Sequence, residues 1–340
     1  VQQGPRIHLS VRPMHPSSVA SAVRITFFGA ALSLALAPNA WSQQQVTVDI
    51  SAKPAAQQQE QDTTSVQRTA GTLFVVLFGE NQIVIATDSR QTETKGSTSL
   101  VRDGVEKIVE LQPTIAFLPS GLDRLRVDDD PVFDAGLVAR RVFDRFQKSG
   151  APLAFRELAI AFGKEVCNEL SRLPQVELLA LKEEAERLEA SILLESAFVG
   201  ADVDGELKLL AVRIRLEGLS TPAGSQSVEP MWHLGKPNTH GTTYVRFLGA
   251  AKALEEGLSN PNAPLLNDPE YKGWIESRRR GKELDPVLTA EALAKLVILH
   301  ANEESRKKVG FPIFVYSLNM RDGLKRVKVT RECDAAQLPN

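Results

Sequence analysis

Hydrophobic residues follow one another almost without interruption in two short segments near residue 70. Residues 72–78 and 83–87 are rich in β-branched and other apolar side chains, and the residues between them, 79–82, are glycine or polar. This pattern predicts two strands joined by a tight turn. Because the apolar runs do not alternate with polar positions, we expect both faces of these strands to be covered.

The rest of the chain changes between strand-like and helix-like patterns. Short apolar or alternating segments predict strands at 97–101, 105–111, 114–119, 192–202, 206–216, 244–248, 311–318 and 324–330. Apolar or charged positions at helical spacing predict helices at 132–147, 153–170, 182–190, 250–258 and 289–308. This order predicts an α+β fold in which two mainly antiparallel sheets are flanked by helices.

The first 70 residues do not share this pattern. A short apolar run, 25–37, follows Arg24 and precedes small residues at Ala40 and Ser42, which is typical of a cleavable signal peptide. The run is too short to span a membrane comfortably. We therefore predict residues 1–42 to be a signal peptide that directs the protein to the periplasm or outside the cell, with no membrane anchor after its removal. Residues 43–70 are polar and rich in Gln, and are expected to form a disordered linker or a pro-segment.

Residues 71–335 are expected to form one domain with insertions at about 217–243 and 259–285. The chain is 43% hydrophobic and 24% charged, with a net charge of -2, and it carries no basic cluster that would suggest nucleic-acid binding. Its two Cys and five His residues have no metal-ligand spacing, so we expect no metal and no other cofactor.

Three polar residues mark the predicted strands. Thr72 begins the first strand, Asp88 ends the second, and Lys107 lies on a later one, so the three can meet at one edge of a sheet. An N-terminal threonine nucleophile needs this arrangement, because its hydroxyl requires a base and its own free α-amine can accept the proton. The pKa of an α-amine is about 8, and a neighbouring ammonium lowers it.

Residues 71 to about 125 resemble the proteasome-subunit family, both α-type and β-type, within the N-terminal-nucleophile hydrolase fold. The resemblance is carried by Gly71-Thr72 and by residues 85–90, 105–108 and 115–122. It implies a four-layer αββα sandwich and a possible homo-oligomer.

The resemblance also implies roles for individual residues. Thr72 would be the nucleophile once self-cleavage of the Gly71–Thr72 bond has freed its amine, which makes 43–70 a removable pro-segment. Lys107 would lower the pKa of that amine, Asp88 would hold the lysine, and Arg90 would support both. The expected substrate is a peptide or a small amide.

Three further positions are implied on the substrate side. The backbone N–H of Gly121 would stabilise the oxyanion. The backbone of Thr92 would pair with an extended substrate as an added strand, and Pro119 would line the pocket for a substrate side chain.

A second function remains open at this point. The α-type subunits also begin a strand with Gly-Thr and are not catalytic. In this sequence Leu73 follows the threonine where active subunits carry a small polar residue, and Ala250 stands where the family has a serine. The alternative is a catalytically inactive α-type-like scaffold or assembly module, in which Asp88 and Lys107 form a structural ion pair.

Overall fold

The structure is a computed structural model, and it describes residues 66–70, 72–95, 98–150, 152–187, 192–220, 226–235, 238–239, 245–251, 254, 267–280, 284–301 and 308–332. All of them belong to one compact unit, residues 61–340. The predicted signal peptide, most of the predicted pro-segment, Gly71 and Cys333 lie outside the described residues.

The described part of the chain contains two sheets and five helices. The strands are β1 Val66–Ala70, β2 Leu73–Phe78, β3 Ile83–Asp88, β4 Gln91–Lys95, β5 Thr98–Arg102, β6 Val109–Gln112, β7 Ile115–Val127, β8 Asp130–Asp134, β9 Leu194–Ala201, β10 Leu207–Ser220, β11 Gln226–Leu234, β12 Asn238–Thr239, β13 Val245–Gly249, β14 Ile313–Asn319 and β15 Gly323–Thr330. The helices are α1 Ala135–Ser149, α2 Phe155–Leu170, α3 Gln175–Arg187, α4 Pro269–Arg279 and α5 Pro286–His300. No helix within these residues is long and apolar enough to cross a membrane.

The smaller sheet contains the hairpin that the sequence predicts. Its strand order is β13-β2-β3-β14-β15, and neighbouring strands are antiparallel. Every residue of β2 and β3 is buried, as their uninterrupted apolar runs indicate. The turn between them is closed by the N–H of Gly79, which donates to the carbonyl oxygen of Gln82 at 2.8 Å.

The larger sheet places β1 in its interior. Its order is β11-β10-β9-β7-β1-β4-β5, with β12 beside β10 and with β6 and β8 beside β7. The expectation of a disordered linker is therefore wrong for residues 66–70, which form a strand with a partner on each side. The pro-segment interpretation stays a prediction.

Apolar side chains hold the sheets and helices together in layers. One cluster, which includes Phe74 and Leu118, lies where the two sheets face each other. A second cluster joins the larger sheet to α1, α2 and α3 through Phe117 and Phe162, whose ring centroids are 4.9 Å apart. A third joins the smaller sheet to α4 and α5. The arrangement is a mixed α+β fold with two antiparallel sheets, compatible with the predicted sandwich.

The two predicted insertions contain regular structure. Within 217–243, strand β10 continues to Ser220, and every residue of β11 pairs with it. Within 259–285 lies α4, whose first backbone N–H groups are capped by the Asp268 carboxylate. Both segments are polar, and their structure depends on pairing or packing with distant parts of the chain.

Candidate active site

The Asp88 carboxylate is the centre of a buried hydrogen-bond network. Asp88 ends β3 and is completely buried. Its Oδ1 accepts hydrogen bonds from the N–H of Leu73 at 2.9 Å and from Lys107 Nζ at 2.8 Å. Its Oδ2 accepts from the N–H of Arg90 at 3.1 Å and from the N–H of Gly310 at 3.3 Å. Four donors therefore fix both oxygens of one carboxylate.

Lys107 forms the ion pair with Asp88 that the sequence predicts, and only 7% of its side chain is exposed. Burial raises the pKa of Asp88 and lowers the pKa of Lys107, and the attraction between the two groups opposes both shifts. The negative charges of Asp123 and Asp103 also oppose the lowering of the Lys107 pKa. Because Asp88 Oδ1 binds both Lys107 and the N–H of Leu73, the lysine lies beside the backbone that immediately follows Thr72.

Thr72 is buried at the start of β2, with 6% of its surface exposed. Its carbonyl oxygen accepts a hydrogen bond from the N–H of Ala250 at 3.0 Å. The neighbouring Gly249 has φ +63°, and a Cβ at this position would lie 2.1 Å from the Thr72 carbonyl oxygen and 2.2 Å from Ser120 Oγ. Glycine is therefore required where the end of β13 contacts Thr72.

The backbone N–H of Arg90 donates to Asp88, whereas the Arg90 side chain contacts Asp103 and Gly310. The guanidinium donates from Nε and Nη2 to the two oxygens of Asp103, at 2.7 and 2.9 Å, and this contact raises the pKa of Arg90. A Cβ on Gly310 would come within 2.5 Å of the guanidinium carbon. Arg90 thus packs on the backbone of Gly310, which itself donates to Asp88.

Strand β1 occupies the groove between β4 and β7, where an extended substrate is expected to pair with Thr92. Ala70 is paired with Thr92 of β4 on one side and with Leu122 of β7 on the other, antiparallel in both cases. Only Gly71 separates this strand from Thr72. The chain that precedes the threonine therefore runs between β4 and β7, and its end leads to the Asp88–Lys107 pair.

The two remaining predicted residues lie on β7, next to this groove. Gly121 has φ +93°, and a Cβ there would approach the carbonyl oxygen of Leu193 to 2.6 Å, so the backbone bends where β7 passes the end of β1. Pro119 is buried and is paired with Ser196 of β9.

One residue near Thr72 has no counterpart in the sequence prediction. Glu195 lies on β9 opposite Ser120 and is 3% exposed. It accepts a hydrogen bond from Arg213 Nε at 2.8 Å and one from the N–H of Gly249 at 3.4 Å, so it holds the turn that contacts the Thr72 carbonyl. A single acid inside the apolar run of residues 194–201 was the available signal, but it has no spacing relation to Thr72.

The site brings together Thr72, the Lys107 ammonium and the Asp88 carboxylate. The free α-amine that a threonine nucleophile uses as its base is absent as long as Gly71 precedes Thr72. Among the described residues, no group of three or more His, Cys, Asp and Glu side chains is placed to hold a metal ion. A scan against models of known protein families and a search of curated proteins each found no match.

Proposed function

We propose that this protein is an exported threonine hydrolase, a peptidase or amide hydrolase with the N-terminal-nucleophile fold, that frees Thr72 by cleaving the Gly71–Thr72 bond. The position of β1 is the observation that carries this proposal. A strand that ends at Ala70, two residues before Thr72, lies between β4 and β7, in the manner of a peptide added to a sheet. The bond to be cleaved therefore lies one residue after a strand that is paired on both of its edges.

Self-cleavage needs only the threonine and water. The Thr72 hydroxyl oxygen attacks the Gly71 carbonyl carbon, and the hydroxyl proton passes to the Thr72 nitrogen as the carbon–nitrogen bond breaks. The product is an ester between Gly71 and the Thr72 hydroxyl, together with a free Thr72 amine. Water then hydrolyses the ester, which leaves a carboxylate on Gly71 and restores the hydroxyl.

The freed amine then becomes the base for substrate cleavage. It takes the hydroxyl proton as the oxygen attacks a substrate carbonyl, and it returns that proton to the leaving nitrogen. Lys107 lowers the pKa of the amine by repulsion between like charges, and Asp88 keeps the ammonium in position at 2.8 Å. The Gly121 N–H serves the oxyanion.

The mass of the exported protein tests this proposal. We expect the wild-type chain to begin at Thr72, and we expect Thr72→Val to keep the uncleaved chain because valine has the shape of threonine without its hydroxyl. Thr72→Ser is the matched control, since a serine hydroxyl can carry out the same reaction and should still permit cleavage. Cleavage in the Thr72→Val variant, or a wild-type chain that always keeps residues 66–70, would overturn the proposal.

The inactive scaffold is the second candidate, and one observation favours it. As long as β1 remains, it completes the larger sheet between β4 and β7, and Thr72 has no free amine. The same mass measurement separates the two functions, because a scaffold keeps its strand.

A further inference from the structure

Ser120 carries a buried hydroxyl that has no hydrogen-bond partner among the described residues. The residue lies on β7, and none of its surface is exposed. An unpaired buried hydroxyl is energetically unfavourable, so its presence calls for an explanation, and a catalytic role is one. The position of Ser120 relative to Thr72 supports this explanation.

Alternation along two strands places the Ser120 and Thr72 side chains in the same layer. On β7, Ala116 and Leu118 belong to the apolar layer between the two sheets, and side chains two positions apart share a face. Ser120 therefore faces the smaller sheet. On β2, Phe74 belongs to the same layer, so the Thr72 side chain faces the larger sheet. The two hydroxyl groups project toward each other from opposite sheets.

The turn after β13 shows how closely the two residues approach. A Cβ on Gly249 would lie 2.1 Å from the Thr72 carbonyl oxygen and 2.2 Å from Ser120 Oγ, so both oxygens border the same small gap. The strand register gives the same placement. Ala70 is paired with Leu122 in an antiparallel ladder, and continuing this register by two residues brings Thr72 opposite Ser120.

We propose that Ser120 is a further catalytic residue, which carries the proton from the Thr72 hydroxyl to the Thr72 nitrogen. A serine hydroxyl can accept one hydrogen bond while it donates another. Ser120 Oγ takes the proton of the Thr72 hydroxyl as that oxygen attacks the Gly71 carbonyl carbon, and it gives its own proton to the Thr72 nitrogen as the carbon–nitrogen bond breaks. This inference rests on the proposed function and adds a route for its proton.

A relay removes a geometric difficulty of the direct transfer. The hydroxyl oxygen and the nitrogen of one threonine belong to adjacent carbons, so the O–H bond cannot point straight at the nitrogen, and bent hydrogen bonds are weak. A bridging hydroxyl allows both transfers to be nearly linear. Its two hydrogen bonds form when the Thr72 side chain turns toward Gly71, since catalytic hydrogen bonds are often long before the reacting atoms meet. Ser120 ends the step unchanged, so the reaction still balances with the threonine and water.

The variants Ser120→Ala and Ser196→Ala test the relay, because each removes one buried hydroxyl. Ser196 is also completely buried, and within the described part of the chain its Oγ has no partner. It lies on β9 between Leu194 and Phe198 of the helix-facing core, on the other side of the sheet from Thr72. We expect Ser120→Ala to slow the appearance of the Thr72 N-terminus about 100-fold, the usual contribution of a positioned proton-transfer group. Ser196→Ala should be cleaved at the wild-type rate.

Stability measurements show whether the slow variant is still folded. Both alanine variants should be at least as stable as the wild type, because each removes a hydroxyl that is buried without a partner. Urea unfolding in the uncleaved Thr72→Val background measures this. A lower urea midpoint for Ser120→Ala than for Ser196→Ala would show that the Ser120 hydroxyl has a structural partner, and it would overturn the inference.

The solvent isotope effect distinguishes a relay from a role in packing. The uncleaved chain is kept unfolded in urea and is diluted into water, heavy water or mixtures of the two, and its mass reports the cleaved fraction with time. Two protons move in the wild-type step, so we expect its rate to depend on the deuterium fraction along a curve. In Ser120→Ala only one proton moves, and the dependence should be linear. Thr72→Val, which is not cleaved, gives the rate of folding in each mixture.

The outcomes separate this inference from the proposed function. A wild-type chain that never acquires a Thr72 N-terminus would overturn both. If the wild type is cleaved and Ser120→Ala is cleaved equally fast, only the role of Ser120 is wrong. Equal slowing of Ser120→Ala and Ser196→Ala, or a curved isotope dependence that persists in Ser120→Ala, would show that the hydroxyl is not a relay.

Discussion

The Asp88–Lys107 pair has a structural role in addition to the chemical role that we propose for it. Removing one partner of a buried ion pair typically costs about 3–5 kcal/mol, because the other charge stays buried. Asp88 would keep three backbone donors but would lose its cation. A substitution of Lys107 therefore cannot by itself distinguish a lost fold from lost chemistry. The hydroxyl of Thr72 is the cleaner target, since valine replaces it at nearly constant volume.

Asp123 predicts a pH dependence of stability. Burial raises its pKa to about 6, Arg124 and Lys107 act against this shift, and Asp134 adds to it. The unfolded value is about 3.9. Because the folded-state pKa is the higher one, the stabilisation from protonating Asp123 is complete below about pH 4 and is lost as the pH rises through about 6.

We therefore expect Asp123→Asn to raise the free energy of unfolding at pH 7.5 by about 1–2 kcal/mol, since one pKa unit corresponds to about 1.4 kcal/mol. The gain should vanish below about pH 3, where the wild-type carboxyl is protonated in both the folded and the unfolded state. Urea unfolding at the two pH values, in the uncleaved Thr72→Val background, measures this. Asp144→Asn, on the exposed face of α1, is the control. An equal gain at both pH values would contradict the assignment.

At the scale of elements, β1 is the strand that the proposed cleavage would separate from Thr72. It is paired along its length with β4 and β7. If cleavage releases it, these two strands face each other across a gap of about 9.5 Å, twice the usual strand spacing. Their inward backbone groups then lose their partners, and the groove becomes available to a substrate.

Hydrogen exchange should report this release. In Thr72→Val we expect slow exchange of the amides of residues 91–95 and 122–127, since β1 covers both segments. In the processed wild-type protein the amides that face β1 should exchange at least about tenfold faster. The amides between β9 and β10, which pair with each other in both forms, serve as the internal control. Unchanged exchange at β4 and β7 would mean that the cleaved strand stays bound.

Sequence patterns identified the elements whose own residues determine their structure. The continuous apolar runs of β2 and β3 were sufficient to predict a buried hairpin. Strands β1 and β4 were not predicted, because their sequences are largely polar and their structure comes from pairing with neighbouring strands of the larger sheet. The same distinction applies to the site. Thr72 and Asp88 could be chosen from their places at strand ends, and Lys107 was placed on a strand at 105–111, whereas in the structure it precedes β6, which begins at Val109. Glu195 approaches the turn beside Thr72 only through tertiary packing.

At the scale of the whole molecule, Thr72 lies where the two sheets meet. Its carbonyl oxygen is bound by the turn after β13 of the smaller sheet, and Ser120 of the larger sheet lies against the same glycine, Gly249. Glu195 of β9 accepts a hydrogen bond from the N–H of Gly249 and so fixes this turn. The position of the threonine is therefore set jointly by both sheets.

The substitution Gly249→Ala adds only one methyl group, but we expect it to slow cleavage of the Gly71–Thr72 bond strongly. The added methyl group would lie 2.1 Å from the Thr72 carbonyl oxygen, at a φ of +63°, so Thr72 or the turn after β13 must shift. A displacement of about 1 Å can cost about 100-fold in rate, and we expect a loss of this size in the appearance of the Thr72 N-terminus. Gly273→Ala is the matched control: no atom lies within 4 Å of a Cβ there, and alanine in helix α4 should stabilise the chain by about 0.5–1 kcal/mol. Cleavage of Gly249→Ala at the wild-type rate would show that the turn after β13 does not position the nucleophile, and that the smaller sheet acts on Thr72 through β2 alone.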